Sequence, residues 1–216
     1  MRDATRLPSW LTKPLYNPPE TRAVRSVLSK HGLTTVCEEA RCPNRAECFS
    51  RGTATFMILG DRCTRDCAFC GVSHAFPSPP DPCEPERVAD AAAELGLGHV
   101  VVTSVTRDDL PDGGADHFAM TVGALRRRLP RSGVEVLVPD FRGNTRDTDT
   151  VLRSWPDVFG HNLETVRRLY PEVRPGAEYG GSLDLLGRAA TASSRPLVKS
   201  SLMLGLGESR EEVGDA

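Results

Sequence analysis

The chain has 216 residues, a formal net charge of −2 and 26% charged residues, which predict a soluble globular protein of one or two domains. The near-balanced charge gives no reason to expect binding to nucleic acid or to an anionic membrane. No apolar run approaches the roughly 18 residues of a membrane span. Since the N-terminus also lacks an apolar signal core, we expect a cytoplasmic protein.

Six of the seven cysteines form two triplets. In a reducing compartment such thiols bind metal or do redox chemistry more often than they form disulfides. A closed zinc site needs four protein ligands, whereas three thiols suit a [4Fe–4S] cube with one open iron. The triplets are Cys37-x4-Cys42-x5-Cys48 and Cys63-x3-Cys67-x2-Cys70. The seventh, Cys83, lies in a proline-rich turn and is interpreted as an ordinary loop thiol.

The first quarter of the chain predicts few regular elements. Residues 1–22 carry four prolines between apolar side chains and are interpreted as an extended arm. Residues 20–31 predict a helix that Gly32 can cap. The polar segment around the first triplet predicts a metal-held loop or short helix. Residues 53–60 form an apolar run that predicts a buried strand.

After the second triplet, predicted helices and strands alternate. Helices are predicted at residues 85–95, 115–129, 145–152, 163–170, 183–192 and 208–213, and strands at 100–105, 134–139, 158–162 and 197–205. This alternation indicates βαβ units and a parallel sheet. In barrel-like α/β folds the chemistry lies on loops at the carboxyl ends of the strands. The second triplet and several polar groups follow predicted strands, so we expect them to share one mouth.

The motifs together resemble a known family. Cys63-x3-Cys67-x-Phe69-Cys70 resembles the signature of radical S-adenosylmethionine (SAM) enzymes, and the first triplet is similar to the auxiliary-cluster motif of lipoyl synthases. Further similar strings are residues 107–115, 138–143, 161–166 and 199–208. The resemblance covers nearly the whole chain.

The resemblance implies an α/β fold, a partial (β/α) TIM-type barrel. It assigns residues 51–216 to the barrel and residues 1–50 to an N-terminal arm with the auxiliary-cluster region. Lipoyl synthases continue past this length, and a serine near their C-terminus supplies the fourth ligand of the auxiliary cluster. The similar string Ser193-Ser194-Arg195 lies in a different context. We therefore expect a truncated barrel with weak activity or none.

The implied reaction is a sulfur transfer. One [4Fe–4S] cluster binds SAM through its open iron, and one electron, from a donor such as ferredoxin or flavodoxin, releases a 5′-deoxyadenosyl radical. The radical abstracts hydrogen from C6 and C8 of an octanoyl chain on a carrier-protein lysine, and the auxiliary cluster donates sulfur. The carrier is the acyltransferase subunit of a 2-oxoacid dehydrogenase or the glycine-cleavage H protein. No acid, base or nucleophile attacks an unactivated C–H bond, so a cofactor is required.

By position in the motifs, the resemblance assigns Cys63, Cys67 and Cys70 to the SAM cluster and Cys37, Cys42 and Cys48 to the auxiliary cluster. It places Phe69 near the adenine. Candidate polar contacts to SAM are Thr103, Ser104, Asp109, Asn162 and Glu164. Their alternative role is to end strands and cap helices.

Two other functions stay open at this point. One is a different radical SAM reaction that also uses an auxiliary cluster. The other is a non-enzymatic protein with zinc or an electron-transfer cluster in the triplets. Iron and sulfide content separates the radical SAM enzymes from a zinc protein.

Overall fold

A computed structural model describes residues 19–39, 42, 47–48 and 53–216. The predicted N-terminal arm and most of the segment between Cys37 and Cys48 lie outside these residues. No helix among the described residues is both long and apolar enough to cross a membrane. The described part of the chain is built on one six-stranded sheet with helices packed against it.

The order of the strands in the sheet follows their order in the chain, as it does in a (β/α) barrel. Its strands are β1 (Thr34–Thr35), β2 (Thr55–Ile58), β5 (His99–Ser104), β6 (Gly133–Leu137), β7 (Val158–Gly160) and β8 (Leu197–Lys199). All neighbouring pairs are parallel except β1 with β2. Two short strands, β3 (Arg62–Cys63) and β4 (Ser73–His74), form a separate parallel pair around the second cysteine triplet. The carboxyl ends of the parallel strands therefore meet at one edge.

Helices connect the strands and cover the sheet. They are α1 (Pro19–His31), α2 (Val36–Glu39), α3 (Glu84–Glu94), α4 (Ala115–Arg128), α5 (Thr145–Leu152), α6 (Tyr170–Val173), α7 (Tyr179–Ala190) and α8 (Arg210–Asp215). The predicted helices at 85–95, 115–129 and 145–152 agree with α3, α4 and α5 to within one residue at each end. Their apolar faces join β-branched strand residues such as Val100 and Val102 in one core.

The predicted helix at residues 163–170 is wrong. Glu164 has a φ of 65°, and its backbone N–H donates to Ser201 O while its carbonyl accepts from Met203 N. Because these bonds go to the chain after β8, the segment cannot bond to itself as a helix. A 3₁₀ turn at Arg167–Leu169 precedes α6, which has Pro171 in its first turn.

The last predicted strand, residues 197–205, is also shorter than expected. Regular pairing ends at Lys199, and only an isolated bridge between Glu164 and Leu202 follows. At the opposite side of the sheet, Val24 and Leu28 of α1 pack in the same core as β2. The boundary at residues 50/51 stays a prediction.

Candidate functional site: a cysteine loop at the carboxyl edge of the sheet

A sharp turn carries the chain from β2 into the second cysteine triplet. Leu59 and Gly60 have φ values of 68° and 91°. The N–H of Leu59 donates to Glu84 Oε2 at 2.8 Å, and its carbonyl accepts from Arg107 Nη1 at 3.0 Å. Glu84 and Arg107 are both buried. Two charged side chains thus fix a backbone conformation that a leucine rarely adopts.

The start of α4 packs against the same turn. Gly114 precedes the helix with a φ of 90°. A Cβ atom at this position would lie 2.3 Å from Leu59 Cδ1. Only glycine fits here, both for its backbone angle and for its distance from Leu59.

The cysteine loop opens into a pocket of about 420 Å³. The pocket reaches the ends of β5, β6 and β7, so the expectation of one shared mouth is met for most of the strand exits. Its polar and sulfur-bearing lining includes Cys63, Cys67, Cys70, Thr103, Ser104, His161, Asn162, Glu164, Arg174 and Met203. Phe69 also lines it and packs against Val166, Leu169 and Val173.

Hydrogen bonds hold the loop to the neighbouring strand exit. The N–H and hydroxyl of Thr64 both donate to Thr106 O, and the N–H of Asp108 donates to Thr64 Oγ1. Within the loop, the N–H of Arg65 donates to Cys63 Sγ at 3.5 Å. An N–H directed at a cysteine sulfur stabilises the thiolate that a metal cluster requires.

An ion triad, in which Arg65 and Asp140 are buried, fixes the middle of the loop. The Arg65 guanidinium bonds both oxygens of Asp108, at 2.6 and 3.0 Å, and both oxygens of Asp140, at 2.6 and 2.8 Å. Burial acts to raise the pKa of Asp140, but the hydrogen bonds and charge of Arg65 outweigh it and lower that pKa. The same two carboxylates raise the pKa of Arg65 against the effect of burial. The triad ties the cysteine loop to two strand exits.

Of the two predicted SAM contacts on β5, one hydroxyl already makes a hydrogen bond within the protein and the other does not. Thr103 Oγ1 donates to Leu137 O at 2.8 Å. Ser104 Oγ is buried and has no hydrogen-bond partner among the described residues. A buried hydroxyl without a partner is unfavourable and fits a position that a ligand completes.

The two predicted contacts after β7 also line the pocket. Burial raises the pKa of the Glu164 carboxyl group, while the Asn162 side chain and the Arg174 charge act in the opposite direction. Asp109 is placed differently. Its two oxygens accept from Arg107 at 2.9 and 2.8 Å, and it does not line the pocket. Its side chain neutralises Arg107, and its assignment as a SAM contact stays a prediction.

A chain of polar side chains connects His161 to Arg174, both of which line the pocket. His161 is 1% exposed, with Nδ1 2.9 Å from Val138 O and Nε2 3.0 Å from Ser182 Oγ. Ser182 accepts from the Tyr170 hydroxyl, which accepts from Arg174 Nη1. Burial lowers the pKa of His161 to about 4, so the ring is neutral at pH 7. These partners come from α6, α7 and the exits of β6 and β7, and no spacing in the sequence indicates them.

The first triplet lies beside the pocket rather than in its lining. Burial raises the pKa of the Cys37 thiol, the Thr55 backbone N–H opposes this, and the nearby Cys42 and Cys48 raise it further. The backbone also joins two of these residues, since the N–H of Cys42 donates to Cys37 O at 3.3 Å. The preceding residue, Val36, does line the pocket.

The residues that line the pocket are of the chemical types that bind an iron–sulfur cluster and SAM. Three thiols on one loop adjoin an unpartnered hydroxyl and a buried cation in one pocket. Across the described ranges, no three Cys, His, Asp or Glu side chains already surround a common point as metal ligands do. The ligand sets therefore stay predictions.

Comparison with known proteins decides the family. The Radical SAM superfamily profile matches residues 57–216. A lipoyl synthase of Alkaliphilus metalliredigens is 53% identical over 208 residues, covering 96% of this chain and 72% of that protein. The chain belongs to the lipoyl synthase family. A second lipoyl synthase, from Methylococcus capsulatus, is 55% identical and is matched over 66% of its length.

A solved structure supports the fold of this lipoyl synthase family member. The crystal structure of methylornithine synthase matches with a TM-score of 0.55 and 15% identity, covering 89% of this chain and 58% of that one. This likeness concerns the fold alone, and it agrees with the predicted partial (β/α) barrel. Membership in the radical SAM superfamily implies SAM and a [4Fe–4S] cluster as cofactors.

Proposed function

We propose that the protein is a lipoyl synthase, a sulfurtransferase that inserts two sulfur atoms at C6 and C8 of an octanoyl chain bound to a carrier protein. The observation that carries the proposal is the pocket itself. It joins the Cys63–Cys70 loop, the unpartnered Ser104 hydroxyl and the buried Arg174 at the carboxyl edge of a parallel sheet. The identity to lipoyl synthases over nearly the whole chain supports the same reaction.

In this proposal Cys63, Cys67 and Cys70 would hold the SAM cluster, and a second [4Fe–4S] cluster would bind at Cys37, Cys42 and Cys48. When bound, these groups supply a radical able to take hydrogen from unactivated carbon, and the sulfur that replaces it. The protein binds and orients the reactants. The Phe69 ring offers an apolar face to the adenine, and Ser104, Asn162 and Glu164 offer polar contacts to SAM.

The proposed partners follow from the reaction. The substrate is an octanoylated carrier domain, either the acyltransferase subunit of a 2-oxoacid dehydrogenase or the glycine-cleavage H protein. The octanoyl chain is neutral and apolar, which suits the part of the pocket lined by Met57, Val72 and Val105. Ferredoxin or flavodoxin supplies the electron, and the reaction takes place in the cytoplasm.

The test is anaerobic reconstitution followed by three measurements: iron and sulfide content, 5′-deoxyadenosine release, and the mass of the octanoyl carrier. We expect about eight irons per chain, falling to about four in a triple Cys37/Cys42/Cys48→Ala variant. Cys67→Ala should abolish 5′-deoxyadenosine release. Cys37→Ala should retain that release and lose sulfur insertion. The matched control is Cys83→Ala, because Cys83 is exposed and belongs to neither triplet.

Zinc without sulfide in the reconstituted protein would exclude a radical SAM enzyme. Release of 5′-deoxyadenosine without any gain in carrier mass would indicate a different radical SAM reaction. Sulfur insertion that persists in Cys67→Ala would contradict the assignment of the second triplet.

A further inference from the structure

His74 contacts the cysteine loop with both its backbone and its side chain. It lies in β4, which pairs with β3 in a register that sets His74 beside Cys63. Its ring Nδ1 lies 2.7 Å from the carbonyl oxygen of Arg65. A carbonyl only accepts, so Nδ1 carries the hydrogen of this bond. The loop from Cys63 to Cys70 is thus closed by a residue that follows its last thiol.

The other ring nitrogen of His74 makes a weaker contact. Its Nε2 lies 3.2 Å from Asp66 Oδ1, but the Asp66 side chain is 82% exposed. Ion pairs of such exposed groups contribute little, because water screens them. The His74 side chain is itself only 33% exposed, and its bond to Arg65 O is partly buried. The bond to Arg65 is therefore the contact through which His74 acts on the loop.

Arg65 carries this contact to a thiol. Its guanidinium is held by Asp108 and Asp140, and its carbonyl is held by His74. Its N–H donates to Cys63 Sγ at 3.5 Å. Because the side chain and the carbonyl are both held, turning the N–H away from the sulfur would strain these contacts. The His74 ring thus helps to fix the direction of an N–H that points at a cysteine sulfur.

A hydrogen bond to a cysteine sulfur changes the properties of an iron–sulfur cluster. The cluster gains negative charge when it is reduced, and an N–H directed at a ligand sulfur stabilises that charge, so it raises the reduction potential. Groups that orient the ligands also determine how firmly the metal is held.

We propose that His74 is a positioning residue for the SAM cluster. Its bond to Arg65 O keeps the Arg65 N–H directed at Cys63 Sγ, which makes the cluster easier to reduce and slower to lose its iron. This role rests on the proposed function, because it takes Cys63 as a ligand of the cluster.

The experiment uses the 216-residue chain with the triple Cys37/Cys42/Cys48→Ala substitution, so that the measured iron belongs to the SAM cluster alone. After anaerobic reconstitution, the midpoint potential is measured by a dye-mediated titration followed by electron paramagnetic resonance. The rate at which a ferrous chelator removes iron is measured separately. Adding His74→Ala should make the midpoint potential more negative. It should also speed the loss of iron about 10-fold, as for other residues that orient metal ligands.

Three further variants separate the bond to Arg65 from other effects. His74→Asn keeps an N–H donor near the position of Nδ1 and should restore most of the potential and most of the iron retention. Asp66→Asn weakens only the exposed pair and should change neither quantity. His99→Ala is the matched control, because it removes another partly exposed histidine at the amino end of β5, away from the loop. It should also change neither quantity.

An unchanged midpoint potential in His74→Ala would overturn the proposal, even with faster loss of iron, since the effect would then be structural. A shift in Asp66→Asn as large as that in His74→Ala would overturn it as well, because the exposed pair would then be responsible. Failure of the proposed function gives a different result. The protein would then form the cluster and show the effect of His74, but the wild-type chain would insert no sulfur into the carrier.

Discussion

Arg65 and Arg174 approach the same cysteine loop in opposite electrostatic states. Both are buried, and both are near enough to lower the pKa of the Cys67 thiol against the effect of burial. Arg65 is enclosed by Asp108 and Asp140, whereas Arg174 meets two carbonyls and a hydroxyl. The comparison shows that burial alone does not determine the role of an arginine. A cation neutralised within the protein fixes structure, and one left without an anion is available to a ligand.

The largest expected effect comes from removing the neutralised cation. Arg65→Met leaves two carboxylates, one of them on the 5% exposed Asp140, without their partner. We expect the free energy of unfolding to fall by about 3–5 kcal/mol, as for other broken buried pairs. Urea unfolding under anaerobic reducing conditions measures it.

The matched control is Arg168→Met, which breaks the exposed pair with Glu212 and should leave the unfolding midpoint unchanged. If Arg65→Met were as stable as this control, the triad would have no structural role. Arg65 and Arg174 would then not differ in the way we describe.

Burial of His161, together with the charges of Arg174 and Arg65, disfavours the protonated ring. Its pKa of about 4 lies below the ordinary 6.5. The unfolded chain therefore binds a proton that the folded chain does not, and stability falls as pH drops from about 6.5 and levels off below about 4. Between pH 7 and pH 5 we expect the free energy of unfolding of the wild-type protein to fall by about 2 kcal/mol more than that of His161→Gln, as measured by urea unfolding. An unchanged pH dependence in the variant would mean that the folded ring titrates normally.

A smaller effect is expected at the third buried arginine of this region. Asp109→Asn weakens the pair with Arg107, which is 1% exposed, and should lower stability by about 1–2 kcal/mol. Binding of SAM to the cluster-loaded protein should not change, because Asp109 does not line the pocket. Asp90→Asn, which breaks an exposed pair with Arg128, is the control for stability. Loss of SAM affinity in Asp109→Asn would contradict this expectation and support the sequence-based assignment of Asp109 as a SAM contact.

These three arginines also indicate what the sequence could predict. Apolar periodicity predicted α3, α4, β5 and β6 because each buries a continuous face in one core. Motif spacing located the loop whose thiols line the pocket. Motif spacing could not locate Arg174, which lies just after α6. The hydrogen bond from Ala68 N to Val173 O brings this part of the chain beside the cysteine loop. The helix predicted at 163–170 failed for the same reason. Its backbone bonds go to Ser201 and Met203, partners that local sequence cannot reveal.

Gly114 is sensitive to substitution in a way that its position in the sequence does not indicate. It lies far along the chain from the thiols, yet any side chain there would press on Leu59, whose turn sets the start of the cysteine loop. We therefore expect a substitution at this glycine to disturb the cysteine loop, so that its effect is closer to that of losing a thiol than to that of losing a surface residue.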